Sequence, residues 1–344
     1  MQRALNAYLP EEICAWAKEQ GLPAFRGKQL FHYFHVERGL SVEKANVLPK
    51  AVRALTAAYP IRTAEAVKVL RSRDGSAKYL LRLEDGSIIE TVFMPYADRN
   101  TLCVSSQVGC RMGCTFCAST KAPFGRSLQA EEILAQVYRV EEWEKANISR
   151  IVLMGIGEPM DNYEEVMRFI RLITAPEGKN LSQRHITLST SGIVPGIRRL
   201  MGEDLAINLA ISLHATSDER RQRTMPVAKR WSIDQILEAC RDYFSHTGRR
   251  VSFEYALIQG ENDRKEDLLW ICEHLAGPGF HINLIPLNEI DEYDGKAAET
   301  TAIRHFAKAL EDGGVHVSVR QKRGADIDAA CGQLRIMYEG RGRG

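Results

Sequence analysis

From about residue 101 the chain repeats one pattern: a short run of β-favouring apolar residues, then a helical pattern. The candidate strands are Thr101–Ser105, Ile151–Met154, Ile186–Ser189, Ala206–Leu213, Val251–Leu257 and His281–Pro286, and a further strand, Val315–Arg320, follows the last helix. The clearest intervening helix carries Ile133, Val137 and Val140 on one face, followed by Trp143. Strand-then-helix units in series predict a parallel sheet, because parallel strands need crossover connections. Six such units are too few for a closed eight-stranded barrel. An α/β fold is expected, as a partial (βα)6 barrel of the TIM type, with an open doubly wound sheet as the other arrangement the pattern allows.

The regions before and after this core read differently. Residues 1–60 carry apolar residues at helical spacing over Glu11–Glu19, Lys28–His35 and Ala51–Ala58, punctuated by Gly21, Pro23, Pro49 and Pro60. They predict a small helical accessory domain over 1–60, a candidate RNA-binding element. Residues 61–98 hold two β-rich runs around Asp85-Gly86, a hairpin signal, and are expected to link the helices to the core at 99–334. The tail, 335–344, ends in Gly-Arg repeats and is expected to be disordered.

Composition places few further limits. The chain has 344 residues, 44% hydrophobic and 26% charged, with a net charge of +2 from 46 basic and 44 acidic side chains. That balance fits a globular protein of one or two domains and neither demands nor excludes a nucleic-acid partner. No run of ~18 apolar residues suggests a membrane span, and Pro10, Glu11 and Glu12 stand where a signal peptide would be apolar. A cytoplasmic chain is expected. Four of its eight cysteines crowd together at Cys103, Cys110, Cys114 and Cys117, whereas Cys14, Cys240, Cys272 and Cys331 are scattered. In such a chain clustering points to metal or redox chemistry.

The cluster is Cys110-x3-Cys114-x2-Cys117, just after the first core strand, where barrel active sites lie. Three thiolates can hold three irons of a [4Fe–4S] cluster and leave the fourth open to a small molecule. The competing reading is structural zinc with Cys103 as the fourth thiolate, in a non-catalytic RNA-binding protein. Gly157-Glu158 follows the second core strand, and Ser189, Ser212-Leu213-His214 and Asn288 end later ones. Polar groups at strand C-termini converge on a barrel site, although each is also an ordinary turn residue. Basic runs at Arg220, Arg221, Arg223, Lys229 and Arg230, at Arg249 and Arg250, and at Arg320, Lys322 and Arg323 are candidate phosphate contacts, or solvated surface.

The CxxxCxxC with Phe116 before its last cysteine resembles radical S-adenosylmethionine enzymes. Glu90-Thr-Val, Thr101-Leu-Cys103-Val-Ser-Ser-Gln-Val-Gly-Cys110, Met154-Gly-Ile-Gly-Glu-Pro159 and Ala329-Ala-Cys331-Gly-Gln-Leu334 are together similar to the RlmN/Cfr family of RNA adenine methyltransferases, over nearly the whole chain.

That resemblance implies a set of roles. Cys110, Cys114 and Cys117 would ligate a [4Fe–4S] cluster. Gly157, Glu158, Ser189, Ser212, Leu213, His214 and Asn288 would contact S-adenosylmethionine, of which two are used per turnover. Cys331 would carry a methyl group. Cys103 would resolve the RNA adduct by forming a disulfide with Cys331, and Glu90 would act as a base. The implied substrates are 23S rRNA, at a peptidyl-transferase-centre adenosine, and tRNA, at an anticodon-loop adenosine. The other implied partner is a reducing protein such as flavodoxin or ferredoxin, and a monomer is expected. Pro159 after Glu158 resembles the branch that methylates C2 of adenosine; the alternative is Cfr-type methylation at C8.

Overall fold

The computed structural model describes residues 3–39, 45, 48–288 and 290–335. The tail expected from 335 onward therefore lies, apart from Arg335, outside the described residues. Among them no helix is long and apolar enough to cross a membrane.

One ten-stranded sheet organises the chain. It opens with a meander of β1 (Glu65–Arg71), β2 (Ala77–Arg82) and β3 (Ile88–Pro95), all antiparallel, and β3 pairs antiparallel with β4 (Asn100–Cys103). A short antiparallel pair stands apart, β5 (Gln107–Val108) with β6 (Arg126–Ser127). From β4 the sheet is parallel, running through β7 (Arg150–Leu153), β8 (Ile186–Thr190), β9 (Asn208–Ser212), β10 (Val251–Leu257), β11 (Phe280–Pro286) and β12 (Val317–Val319). These strands lie in chain order without reversal. A doubly wound sheet reverses at a switch point, so the order selects the partial barrel.

Between the strands lie α4 (Ala130–Glu144), α5 (Tyr163–Thr174), α6 (Val194–Leu200), α7 (Asp218–Thr224) with α8 (Ile233–Thr247), α9 (Lys265–Leu275) and α10 (Thr300–Asp312). Ahead of the sheet come α1 (Pro10–Glu19), α2 (Ala24–His35) and α3 (Lys50–Thr56). Their Ile13, Trp16, Leu30, Phe31 and Phe34 join the same core as Ile133, Val137 and Phe169 of α4 and α5. Arg168 of α5 grips Glu12 of α1 with two hydrogen bonds, at 2.6 and 3.0 Å.

Strand periodicity explains why the barrel is not filled. In β10, Val251, Phe253, Tyr255 and Leu257 are fully buried in the main core, while Ser252 and Glu254 line an inner cavity. The same alternation puts Thr187, Asn208, His281, Asn283 and Ser318 on that cavity. Successive side chains of a strand point to opposite faces, so apolar residues meet the helices and polar ones meet the lumen.

Past β12 the chain crosses back to the β1–β2 turn and closes the seam. Ser72 Oγ and the Arg73 amide donate to Asp326 at 2.5 and 3.2 Å, the Gly324 amide donates to Asp74 at 2.9 Å, and Arg323 donates to the Asp74 carbonyl at 3.0 Å.

His35, in the last turn of α2, is fully enclosed with Nδ1 3.2 Å from the Tyr138 hydroxyl, and burial depresses its pKa to about 3. Below its unfolded value of about 6.5 the unfolded chain takes up a proton that the folded chain refuses. Stability from this group is therefore present above pH 6.5 and lost as pH falls toward 3, by about 1.4 kcal/mol per pH unit. A His35→Asn variant is expected to show a shallower loss by that amount in urea titrations between pH 6 and 4. An unchanged slope would contradict the assignment.

Candidate active site

Cys103 ends β4, and the chain then turns through the cysteine loop. Gly109 and Gly113 take positive φ values of 86° and 74°, which side chains with a Cβ rarely adopt. Gln136 of α4 fixes the approach, accepting from the Ser105 amide at 2.8 Å and donating to its carbonyl at 2.9 Å. Thr120 Oγ1 caps the loop, 2.9 Å from the carbonyls of both Cys114 and Cys117.

Cys110, Cys114 and Cys117 line one cavity at the C-terminal ends of the parallel strands. Burial pushes the Cys110 thiol up to about 12 and raises those of Cys114 and Cys117; for Cys114 the two neighbouring thiols add to the effect. Thiols whose ionisation is opposed in this way need a cationic group to hold them as thiolates. Among the described residues no three His, Cys, Asp or Glu side chains converge tightly enough for a single metal ion. Cys103 faces a second, smaller cavity instead. Three thiols spread around an open cavity suit a [4Fe–4S] cluster, and the four-thiolate zinc reading finds no support.

The glycines after β7 answer to the chain itself. A Cβ on Gly155 would lie 2.6 Å from the Val104 carbonyl oxygen, and one on Gly157, at φ +111°, would lie 2.7 Å from Gln107 Cβ and Ser106 Oγ. Their absence lets this loop bond directly to the strand that leads into the cysteines: the Gly155 amide donates to Val104 and the Ser106 amide to Ile156, at 3.1 and 2.9 Å. Glu158 is thereby fixed on the cavity wall. It accepts from the Met160 amide at 3.0 Å and the Ser191 amide at 2.7 Å, while burial raises its pKa against those bonds.

Ser189, Ser212, His214 and Asn288 line the same cavity. His214 sits at φ +55° and accepts from the Ala256 amide through Nδ1 at 2.9 Å. Burial lowers its pKa to about 3, so the ring is neutral and carries its proton on Nε2. Leu213 is fully buried in the core and offers its backbone alone, its carbonyl accepting from Arg221. Asn288 Oδ1 and Ser191 Oγ are buried at the cavity without hydrogen-bond partners. Unpaired polar atoms in a wall are costly unless a ligand meets them, which fits a polar cofactor such as S-adenosylmethionine beside the cysteines.

Cys331 lines both cavities, and Cys103 the smaller one. The Cys331 turn is pinned from three sides: Asn288 Nδ2 donates to its carbonyl at 3.1 Å, the Ala118 amide to the Gly332 carbonyl at 2.7 Å, and Ser119 Oγ to the Leu334 carbonyl at 2.8 Å. Burial pushes the Cys103 thiol up to about 12; nearby Cys331 adds to this and Arg320 opposes it. All eight cysteines are unbridged. Glu90 lies behind this turn, fully buried, and is absent from the lining of both cavities.

The basic runs divide. Arg320 points into the lumen, 3.8 Å from Glu254, with Cys331 first and then Glu254 and Cys103 holding its guanidinium charged. Arg221 is fully buried and donates to the carbonyls of Leu213, Ser191 and Ser212 at 3.1, 2.6 and 3.0 Å, tying two strand ends together. Arg220 is committed to Asp267 at 2.5 Å. Arg249 binds Ile207 and Asn208 at the start of β9, the end of the barrel away from the cysteines. Arg223, Lys229, Arg230 and Arg250 are exposed. Sequence patterning cannot separate buried arginines from exposed ones, because the partners that permit burial are remote in the chain.

A cysteine-ringed cavity on a partial parallel barrel, with unpaired polar atoms in its wall, defines the radical S-adenosylmethionine class. The model of the Radical SAM superfamily matches residues 104–270. The chain is 47% identical over 330 residues to a probable dual-specificity RNA methyltransferase RlmN of Clostridium perfringens, covering 95% of each. It is 44% identical over 332 residues to that of Clostridium botulinum, covering 96% of each. A radical SAM methyltransferase from Sphaerobacter thermophilus superposes with a TM-score of 0.92 at 40% identity, over 97% of this chain and 99% of that one. The chain belongs to the RlmN family of radical S-adenosylmethionine methyltransferases. It is a methyltransferase that uses a [4Fe–4S] cluster and S-adenosylmethionine.

Gly155→Ala tests the packing of the two loops. The added methyl would meet backbone, which yields poorly, so a loss of about 1–3 kcal/mol is expected in denaturant unfolding, with lower iron content after reconstitution. A neutral substitution would show that the loops are not interlocked.

Proposed function

We propose that this chain methylates C2 of a peptidyl-transferase-centre adenosine in 23S rRNA and of an anticodon-loop adenosine in tRNA, by way of a methyl group carried on Cys331. The observation that carries the reading is that Cys331 lines both the cavity of the three clustered cysteines and the cavity of Cys103. A group on its sulfur borders the cofactor cavity, and the sulfur stays within the compartment of a second thiol. The names of the relatives, dual-specificity RNA methyltransferases, support RNA as the substrate class.

When bound, the cluster and S-adenosylmethionine supply the methyl group and the hydrogen-abstracting radical. The residues of the chain carry and release the carbon. C2 of adenine is not nucleophilic, so a carrier must deliver the carbon, and covalent catalysis through Cys331 divides one inaccessible step into feasible ones. The target base leaves its stack to reach the cavity. Once the new carbon–carbon bond has formed, C2 loses its proton to a base and the adduct loses its unpaired electron, for which the bound cluster would be the acceptor, and the aromatic adduct stays tethered to Cys331. Cys103 sulfur then attacks Cys331 sulfur: an S–S bond forms, the S–C bond breaks with its electron pair on carbon, and that carbon takes a proton. An external thiol reduces the disulfide. Arg320, set between the two thiols and Glu254, favours the thiolate that attacks. A reducing protein such as flavodoxin or ferredoxin supplies electrons, and the chain works as a monomer in the cytoplasm.

A Cys114→Ala variant is expected to lose iron and all S-adenosylmethionine cleavage under reductant; retention of both would reject the cluster assignment. Cys103→Ala is expected to accumulate a covalent protein–RNA species visible on denaturing gels, and normal turnover would remove the resolving role. Nucleoside mass spectrometry of rRNA and tRNA from a deletion strain and its complemented form should show 2-methyladenosine restored. Restoration of 8-methyladenosine instead would overturn the C2 assignment.

A further inference from the structure

Lys78 and Glu90 form an ion pair, 3.4 Å between Nζ and Oε1, with both side chains enclosed. They come from neighbouring antiparallel strands, β2 and β3, with Lys78 opposite Val92 and Leu80 opposite Glu90. That diagonal is within reach of long side chains on one face. The remaining bonds of the pair go to the backbone of the Cys331 segment. Lys78 Nζ donates to the Asp328 carbonyl at 3.0 Å, and Glu90 Oε2 accepts from the Arg335 amide at 3.1 Å. The two attachments fall on either side of Cys331, three residues before it and four after. A buried ion pair is a poor source of net stability, because desolvation offsets the attraction, and its best-attested use is to fix one geometry.

We propose that the Lys78–Glu90 pair is a clamp that seats the Cys331 segment, which makes Glu90 a positioning residue acting through Cys331 rather than the base of the reaction. The proposal rests on the reading of Cys331 as the methyl carrier. Three observations carry it. Glu90 is fully buried and lines neither of the cavities that hold the reacting thiols. One carboxylate oxygen is paired by charge with Lys78 at 3.4 Å, without a hydrogen bond, and the other accepts from the Arg335 amide. Both members of the pair hold main-chain atoms, so the contacts constrain the path of the chain whatever the side chains at 328 and 335. The clamp completes a ring of fastenings: Asn288 and the Ala118 amide hold the Cys331 turn from the cavity side, and Lys78 and Glu90 hold its flanks from behind.

The two roles for Glu90 act at different stages, which makes them separable. On that reading Cys331 takes up its methyl group before the carbon reaches RNA, and that transfer needs no base for the adenine ring. The test uses full-length, anaerobically reconstituted enzyme and the variants Glu90→Ala, Glu90→Gln and Lys78→Met. Two readouts are taken: hydrogen–deuterium exchange of the amides from 329 to 335, and the fraction of Cys331 that carries a methyl group, by peptide mass spectrometry. With iron content retained, Glu90→Ala and Lys78→Met are expected to speed exchange at the Arg335 amide about tenfold or more and to lower Cys331 methylation by a similar factor. Glu90→Gln keeps an oxygen for the Arg335 amide and is expected to retain at least half of the methylation. Should a single variant fail to fold, the Lys78→Met/Glu90→Met double variant removes the clamp without leaving a buried lone charge, and the same losses are expected of it. Normal Cys331 methylation in Glu90→Ala with RNA adduct accumulating would overturn the clamp in favour of the base. Unchanged exchange would overturn it as well. If wild-type enzyme carries no methyl on Cys331, the proposed function fails, and the exchange measurement still decides the clamp by itself.

Discussion

The hydrogen bond from the Ala118 amide to the Gly332 carbonyl, 2.7 Å long, joins the two parts of the chain on which everything else depends. On one side is the cysteine loop, on the other the turn that carries Cys331. More than two hundred residues separate them, and those residues are the barrel. A full barrel would return the last strand beside the first and fill the lumen with side chains. This one stops at β12, and the leftover segment crosses the gap to the β1–β2 turn, where Asp74 and Asp326 secure it. The open seam is what lets a C-terminal cysteine reach the mouth.

Polarity inside the barrel follows from the same economy of strands. Large branched residues face the helices, as Val251, Phe253 and Tyr255 do, while Ser252, Glu254, Asn283 and Ser318 face inward. Glu254 accepts from Asn283 at 2.9 Å and stands 3.8 Å from Arg320, so a polar network occupies the lumen and reaches, through Arg320, the cavity that Cys103 and Cys331 line. Burial raises the Glu254 carboxyl, and Arg320 works against that shift. A charge held there is worth more than one at the surface because little solvent screens it.

Much of this was legible in the residues. The alternation of strands and helices gave the parallel sheet, and the Cys110–Cys117 spacing with its position after a strand marked the mouth. The Asp85-Gly86 turn marked a hairpin, which is β2–β3. The first meander strand, β1, escaped because its residues are mostly exposed and show no apolar alternation. Gly157 is expected from the resemblance to contact the cofactor; it lines the cysteine cavity, and a Cβ there would also meet Ser106 and Gln107 of the chain itself, a constraint the sequence does not show. Arg221 and Arg320 read as phosphate contacts or solvated surface, and both are internal. Nothing local distinguishes them, since their burial depends on carbonyls at strand ends and on Glu254 far away in the sequence. Glu90 is the sharpest case: its identity was readable, but only the fold shows it gripping the backbone behind Cys331.

The central claim is that the transferred carbon passes through Cys331 and loses a hydrogen there before it reaches RNA. The most direct measurement supplies enzyme freed of its resident methyl group with S-adenosylmethionine fully deuterated at the methyl position, and reads the isotopic make-up of the methyl group in the modified nucleoside. The account predicts a mixed methyl, one deuterium having been abstracted and replaced by a proton from solvent or from the chain. A methyl group that arrives with all its deuterium would mean direct transfer, and would contradict the account.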